Sequence, residues 1–578
     1  MPLLSPLSLV SVLFVLLSAL PGFAAETCSQ NIPASFTSFE QKVWESLCET
    51  SAFDGSEGLS AQDGTVHTTC FGPDILSADF MRTVLTDRRR AQSFPSRDLS
   101  LKCVQLEALE LAAAEVPVNL NIRQSEILGD LTLDNARVDG NFSFSDLYVG
   151  GRVSAKGARF NGFFRFSKSD LQDVFLFDLR ATSHISFYDT SLNQLQAVSV
   201  KTDTFLNLIR SQFAGPVRLS AGHAAKGLST SGSRFNAGLT ATRFTSLSNL
   251  FMSSTEIVGD LFFNSARISG SAEFHKMTVS GTLDLRAAHI SELLYLNDGQ
   301  FQKVDLNSAT IKHLVAYGTS FNGDLVLDYS VLTSANLADA DQPGLHLPKW
   351  GNTSEIHVFE ADIGLLLAHV PLSFTRVDHS IVPMNLANSH IRGFSFVADK
   401  SPQQGQATGP SDVTNWIAGA MNANGGTSRH FSTKPYEDLE NWYTSAGDYE
   451  AARAVKYAKM LELTRSLPDT ASGWLQRILW YWPLKVFVGF GAYPWWAVMW
   501  FFGWVALGAA VGKRWGTAPK SLWFWVRYSS DNAIPLLETS VETRDFAHTS
   551  GKVWGFFLIH KLIGFVLVSI LIGSITFT

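Results

Sequence analysis

The sequence predicts a mainly β protein: a parallel β-helix of about 22 residues per coil, with a disulfide-stapled helical cap before it and a helical hairpin and two transmembrane helices after it. Three observations carry this. Apolar residues recur every eleven positions between about 118 and 332, as in Ile127, Val138, Val149, Phe160 and Leu171. All four cysteines, Cys28, Cys48, Cys70 and Cys103, lie near the N-terminus. Between Lys485 and Lys513 no side chain carries a charge, and such apolar length is what a membrane span requires.

The eleven-residue unit reads apolar-x-Gly-x-apolar-x-apolar, as in Val138, Gly140, Phe142 and Phe144. Its internal period of two is that of a strand with one buried face. Strands repeating at a short fixed interval without helices between them indicate a solenoid. Two units make one coil. In "STEIVGDLFFNSARISGSAEFHKMTVSGTLDLRAAHIS", residues 254 to 291, Ile257, Ile268, Val279 and Ile290 are expected to form one stacked core row. Gly259, Gly270 and Gly281 are expected at corners that need tight backbone, and Ala136, Ala158, Ala266, Ala288 and Ala309 at corners too narrow for larger side chains. The β-helix is assigned to residues 116–398.

The elements before it follow in order. Residues 1–25 are uncharged and carry a short apolar run from Leu9 to Leu20 followed by "GFAA", the pattern of an export signal cleaved after Ala24 or Ala25. Residues 26–115 form the cap. There Phe39, Val43, Trp44 and Leu47 share one helical face, and Leu76, Phe80 and Val84 share another. The run Arg88, Arg89, Arg90 closes the second helix, where cations complement the helix dipole. An even, clustered cysteine set in an exported segment indicates two disulfides, with three pairings open. Gaps of 20, 22 and 33 residues offer no close pairs for zinc.

Residues 399–434 are rich in Gly, Gln, Asn and Ser and read as a linker with at most one short helix. Residues 435–470 form the hairpin, with Tyr436, Leu439 and Tyr443 on one helix, Gly447 at the turn, and Ala451, Ala452, Val455 and Ala458 on the other. A lone hairpin of this kind cannot bury its own face and must dock on a neighbour or a membrane surface. Residues 471–493 are an interfacial segment whose Trp480 and Trp482, with Trp495 and Trp496 just beyond, suit an aromatic belt. The first span is placed at 494–511 and the second at 553–577, where His560 and Lys561 sit in the early turns and Lys561 can snorkel to the headgroups. Lys513, Arg514, Lys520, Arg527, Arg544 and Lys552 lie in the intervening loop, 512–552. The positive-inside rule therefore puts this loop in the cytoplasm and the β-helix outside.

The stretches "LSLKCVQLEALEL", "ILGDLTLDNARVDGNFSF", "KPYEDLENWYTSAGDYEAARAVKYAK", "FGAYPWWAVMW" and "YSSDNAIPLLE", in this order, resemble a family of bacterial membrane-anchored proteins with pentapeptide-repeat-like β-helices. The likeness covers about residues 70 to 577. It implies a bacterial inner-membrane protein with most of its chain periplasmic. Some members carry a membrane-associated oxidoreductase label, which implies a redox activity. The unit here is eleven residues and departs from the family's A-(D/N)-L-x-x pentapeptide, so a 22-residue coil is expected in place of a regular square solenoid.

The residues themselves assign no catalytic group, no metal site and no cofactor. No GxGxxG opens a helix after a strand, and no CxxC or CxxCH occurs. Polysaccharide lyases and hydrolases on β-helices need carboxylates paired across coils. Asp130, Asp260 and Asp324 each follow a repeat glycine but lie far apart, and Asp284, Arg286, Glu273 and His275 read as a solvated outer face. The segment "SLWFWVRYSSDNAIPLLE" occupies the place of a pore helix and filter between the spans, with Asp531 and Asn532 as re-entrant candidates. A potassium filter would show a sequence such as TVGYG. The formal net charge of -7 gives no reason to expect nucleic acid. The predicted function is an envelope scaffold or binding protein. Its partners would be the membrane, an envelope protein or glycan, and a second copy in a homo-oligomer. A pore or signalling protein and a polysaccharide enzyme are the alternatives.

Overall fold

The structure is a computed structural model that describes residues 28, 32–56, 74–87, 94–337, 348–358, 360–368, 374, 378, 380, 382–386, 389–396, 410–422, 432–493, 495–516, 520–534, 543, 546 and 551–576. The proposed signal at 1–25, Cys70 and the Arg88–Arg90 run lie outside them. The chain divides into two compact units, Met1–Asn385 with Ser395–Pro402, and Leu386–Phe394 with Gln403–Thr578.

The strand pairings described in the first unit are parallel, and through most of the solenoid they join residues 20 to 22 apart in sequence. Four short strands make each coil, so the solenoid has four faces. On face 1, Leu120, Phe142, Phe164, Ile185, Leu206 and Leu228 stack in register. Face 2 stacks Ile127, Val149, Leu171, Leu192, Phe213, Phe235, Ile257 and Val279. Face 3 stacks Leu131, Val153, Val174, Leu195, Val217, Leu239 and Leu261. Face 4 runs from Val138 and Phe160 through Ala181 and Thr202 to Ile268 and Ile290. These side chains are almost fully buried, and each large one contributes roughly 1.5–3 kcal/mol by leaving water.

The eleven-residue spacing is therefore half a coil. Ile257 pairs with Val279 on face 2, and Ile268 pairs with Ile290 on face 4. The single core row expected from the sequence is two rows on opposite sides of the coil. Ring stacking adds to the ladder: Phe213 lies 4.6 Å from Phe235 with planes 1° apart, and Phe166 lies 5.5 Å from Phe187 at 13°. The five alanines expected at narrow corners are all buried.

Of the three repeat glycines, Gly259 takes the expected positive φ, at 98°, and Gly270 and Gly281 do not. The positive-φ corners are served largely by other residues, for example Asn135, Ser265 and Ala287 at φ 57°, 57° and 53°. At Gly281 the requirement is space, because a Cβ there would collide with the Asp260 carboxylate and the Gly259 backbone. Asp260 Oδ1 accepts the Thr282 amide at 2.7 Å, one coil on. Asp130 likewise accepts from Arg152 at 2.7 Å, and Asp324 from Glu355 at 3.1 Å. These carboxylates tie each coil to the next.

The solenoid begins before residue 116. Asp98–Lys102 pairs with Asn119–Ile127 and with Ala52–Asp54, and Ile75–Leu76 pairs with Gln105–Leu106. Leu76 thus sits in a strand and not on the helix assigned to it. The helix Ser38–Thr50 buries Val43, Trp44 and Leu47, and Ala78–Thr86 buries Phe80, Met81, Val84 and Leu85. Glu40 joins them: it closes a capping box with Thr37 and accepts from the Ser77 amide at 3.0 Å. The disulfide Cys28–Cys48 staples the first helix, and the Trp44 indole donates to the Cys28 carbonyl at 3.2 Å. Cys103 is also disulfide-bonded. Covering the first coil removes an open strand edge.

In the second unit the helices Lys434–Ser445 and Tyr449–Ser466 form the hairpin, with Gly447 at φ 81°. The helix Pro410–Asn422, inside the expected linker, packs on them and buries Val413, Trp416 and Ile417. It is the neighbour that a lone hairpin needs. Trp495–Trp515 and Gly551–Ser569 are long and apolar enough to cross a membrane, and the latter belongs to a helix that continues to Thr576.

Candidate functional site

The outward side chains of face 1 make a polar ladder. Ser100, Asn121, Ser143, Arg165, Ser186, Asn207 and Ser229 occupy the same register position on successive coils. Inward neighbours alternate with them, so Phe164 and Phe166 are buried while Arg165 points out.

At the corner that leads from face 4 into face 1, the ladder widens into a cavity of about 400 Å³. Arg165, Ser186, Phe205 and Asn207 on the strands of face 1 line it together with Ser183, His184, Thr204 and Lys226 from successive corners. Tyr188 closes one side. Its ring lies 4.3 Å beneath the Arg210 guanidinium, which also pairs with Asp189 at 2.7 Å. His184 stacks on Phe163 at 4.9 Å with planes 13° apart, and its Nδ1 lies 3.3 Å from Ser183 Oγ. Burial first, and the nearby Arg165 charge second, hold the His184 pKa below its ordinary value. The lining residues combine Arg165, Lys226, hydroxyls, an amide and aromatic rings without a carboxylate. Such a set suits a hydroxyl-rich or anionic ligand.

The sequence reading missed this cavity. Its only local sign was an arginine between two core phenylalanines, "FRFS" at 164–167, and nothing in one coil's sequence shows which corners stack above it.

A second constellation lies between the apolar helices. The helix Leu522–Ala533 packs against both. Phe524, Trp525 and Tyr528 on it cluster with Ala509, Val553 and Phe557. Its last residue, Ala533, faces Gly564 near the middle of the second apolar helix, where a Cβ on the glycine would lie 2.5 Å from Ala533 Cα. Ser529 donates to the Val505 carbonyl at 2.8 Å and sits 3.2 Å from His560 Nε2. Gly508 and Gly512, four residues apart, let Ser529, His560 and Trp525 approach the first apolar helix closely.

Asp531 and Asn532 lie in the last turn of Leu522–Ala533. Asp531 accepts a hydrogen bond from the Thr543 hydroxyl, and Asn532 donates to the Tyr528 carbonyl at 2.9 Å. Ser529 to Ala533 are helical, so their backbone is not the extended, carbonyl-lined segment of a potassium filter. Pro535 lies outside the described residues. His560, read from the sequence only as an early-turn residue, is fully buried at the centre of this contact.

Among the described residues no group of three or more His, Cys, Asp or Glu side chains is arranged to hold a metal ion. Compared with known protein families, with curated proteins and with solved structures, the chain matches none.

Proposed function

We propose that the protein is a membrane-anchored binding module of the bacterial cell envelope. A solenoid outside the inner membrane displays its polar face 1 and the corner cavity to an envelope glycan or protein. The observation that carries this reading is the polar ladder with its cation- and aromatic-lined cavity, in a chain that also holds two membrane-length apolar helices. A rigid, repeating surface binds extended partners well, because it pays little ordering entropy on association. Trp474, Leu475, Leu479 and Trp482, all exposed just before the first apolar helix, suit contact with the membrane interface. The apolar segment at 1–25, the clustered cysteines and the basic loop support an exported solenoid. The motif order supports a place beside the pentapeptide-repeat-like membrane proteins.

The test has two arms. Cysteine-substituted solenoid positions in intact spheroplasts should react with a membrane-impermeant thiol reagent, and positions in the 512–552 loop should not. The detergent-solubilised protein should then co-purify with an envelope component that Arg165→Ala and Lys226→Ala release. Loop labelling without solenoid labelling reverses the orientation, and recovery of the bare protein under mild conditions removes the binding reading.

A two-span pore is the second reading, favoured by the helix Leu522–Ala533 ending opposite the middle of the second apolar helix. Planar-bilayer recordings in which Asp531→Asn leaves conductance unchanged would remove it. A polysaccharide enzyme is the remaining alternative; Asp130, Asp260 and Asp324 each accept a backbone amide of the next coil.

A further inference from the structure

Face 4 carries a line of like charges that the composition hides. Arg137, Arg159, Arg180 and Lys201 are direct register partners on four successive coils. Each is exposed, with the buried row residue immediately after it. His223 continues the row after Lys201. Adjacent strands lie about 4.8 Å apart, and like charges directly opposite one another on neighbouring strands destabilise a sheet.

The same solenoid pairs opposite charges elsewhere. On face 2, Arg234 and Glu256 are register partners with an ion pair at 3.0 Å, and Lys312 meets Glu292 at 2.8 Å. Arg137, Arg159, Arg180 and Lys201 make no ion pair among the described residues. The row begins after Glu115, the exposed register partner of Arg137 on the preceding coil. The acids nearest in sequence are Asp139, Asp178 and Asp203, and Asp139 accepts from the Asn161 side-chain amide at 2.9 Å. Face 4 leads directly into the corner cavity, whose Arg165 and Lys226 extend the positive surface.

We propose that this cation ladder binds an acidic polysaccharide lying along the solenoid axis, one anionic group per coil, with the corner cavity taking a sugar ring. This rests on the binding-module reading and names its ligand class. An acidic glycan fits on three counts. Its charges match the ladder in sign. A sugar ring is about as long as the ~4.8 Å strand spacing, so one carboxylate or sulfate per ring keeps register. Phe205 and Tyr188 offer flat apolar surface beside the hydroxyls of Ser183, Ser186 and Thr204, which is how a sugar's C–H face and hydroxyl edge are held together.

The test titrates full-length protein in detergent with polygalacturonate, neutral dextran and single-stranded oligothymidylate. Polygalacturonate should bind saturably, more weakly as salt rises, and dextran should not bind. Arg159→Glu with Arg180→Glu should weaken binding about tenfold or more, the loss expected on removing two charge-assisted contacts. Arg218→Glu, exposed on face 3, should change it little. Arg159→Gln with Arg180→Gln should also bind weakly while melting no lower than the parent, because it relieves the like-charge contact. Equal loss from Arg218→Glu, equal affinity for oligothymidylate, or no saturable polygalacturonate binding overturns the proposal. If the Arg159→Glu, Arg180→Glu protein still captures the envelope component recovered by the parent, the ladder proposal fails while the binding-module reading stands.

Discussion

His560 and Trp504 lock the two apolar helices together through a reciprocal contact. The Trp504 indole donates to the His560 carbonyl at 3.1 Å, and His560 Nε2 lies 3.1 Å from the Trp504 carbonyl. Their rings stack at 5.1 Å with planes 12° apart. Since a carbonyl only accepts, Nε2 carries the proton. Trp504→Phe keeps a ring to stack and loses one hydrogen bond, so it should cost about 1 kcal/mol. His560→Ala loses the other hydrogen bonds and the stacking as well and should cost about 2–4 kcal/mol. Thermal unfolding of the detergent-solubilised protein reads both, and equal melting of the two variants would contradict the lock.

Glycines on the first apolar helix should respond to alanine with opposite signs. At Gly508 an added Cβ would lie 2.5 Å from His560 Nε2, whereas at Gly503 it meets nothing within 4 Å. Gly508→Ala should destabilise by roughly 1–3 kcal/mol through overpacking. Gly503→Ala should be neutral or stabilise by up to about 1 kcal/mol through helix propensity. The same melts decide, and a neutral Gly508→Ala would mean that the helices are not in close contact there.

In the cap, burial pushes the Glu40 carboxyl up, but hydrogen bonds from Ser77 and Thr37 outweigh it and hold its pKa below the ordinary 4.5. The ionised form is therefore the stabilising one. Its contribution is complete above pH 4.5 and disappears as pH falls through the lower folded-state value. Glu40→Gln should lower stability at neutral pH by about 1–3 kcal/mol, and the deficit should shrink in acid. Chemical denaturation at several pH values measures it; a deficit that stays constant into acid would refute the role of the charge.

His184 runs in the opposite chemical sense with the same sign. The fold keeps it neutral, by burial first and by Arg165 second, while the unfolded chain protonates near its ordinary 6.5. Stability from the neutral ring is thus full above pH 6.5 and is lost as pH falls toward the lower folded-state pKa. His184→Asn should flatten the fall in melting temperature between neutral pH and about pH 5. Arg165→Gln should flatten it in part. Parallel slopes for parent and His184→Asn would rule the group out.

The coil was legible from sequence because burial writes itself into spacing. Val138 and Phe160 must both be apolar to share a core row, and only a fixed interval keeps them there. The cap helices were legible for the same reason, through the 3.6-residue recurrence of Val43, Trp44 and Leu47. Leu76 was misplaced because two residues of strand carry no period to read.

By itself the sequence determined the 22-residue coil, the capped start and the apolar end, since each rests on repeated hydrophobic positions that few other folds could bury. Tertiary structure alone decided which residues stand above one another. Successive coils take 22, 21 or 20 residues, as from Val149 to Leu171, Leu171 to Leu192 and Phe301 to Phe321. The face 4 row passes through Ala181 and Thr202, so the row that aligns Arg137, Arg159, Arg180 and Lys201 is interrupted where an apolar pattern would mark it. Outward side chains pay no burial cost and leave no periodic trace. Their function depends on register, and register exists only once the coils have stacked.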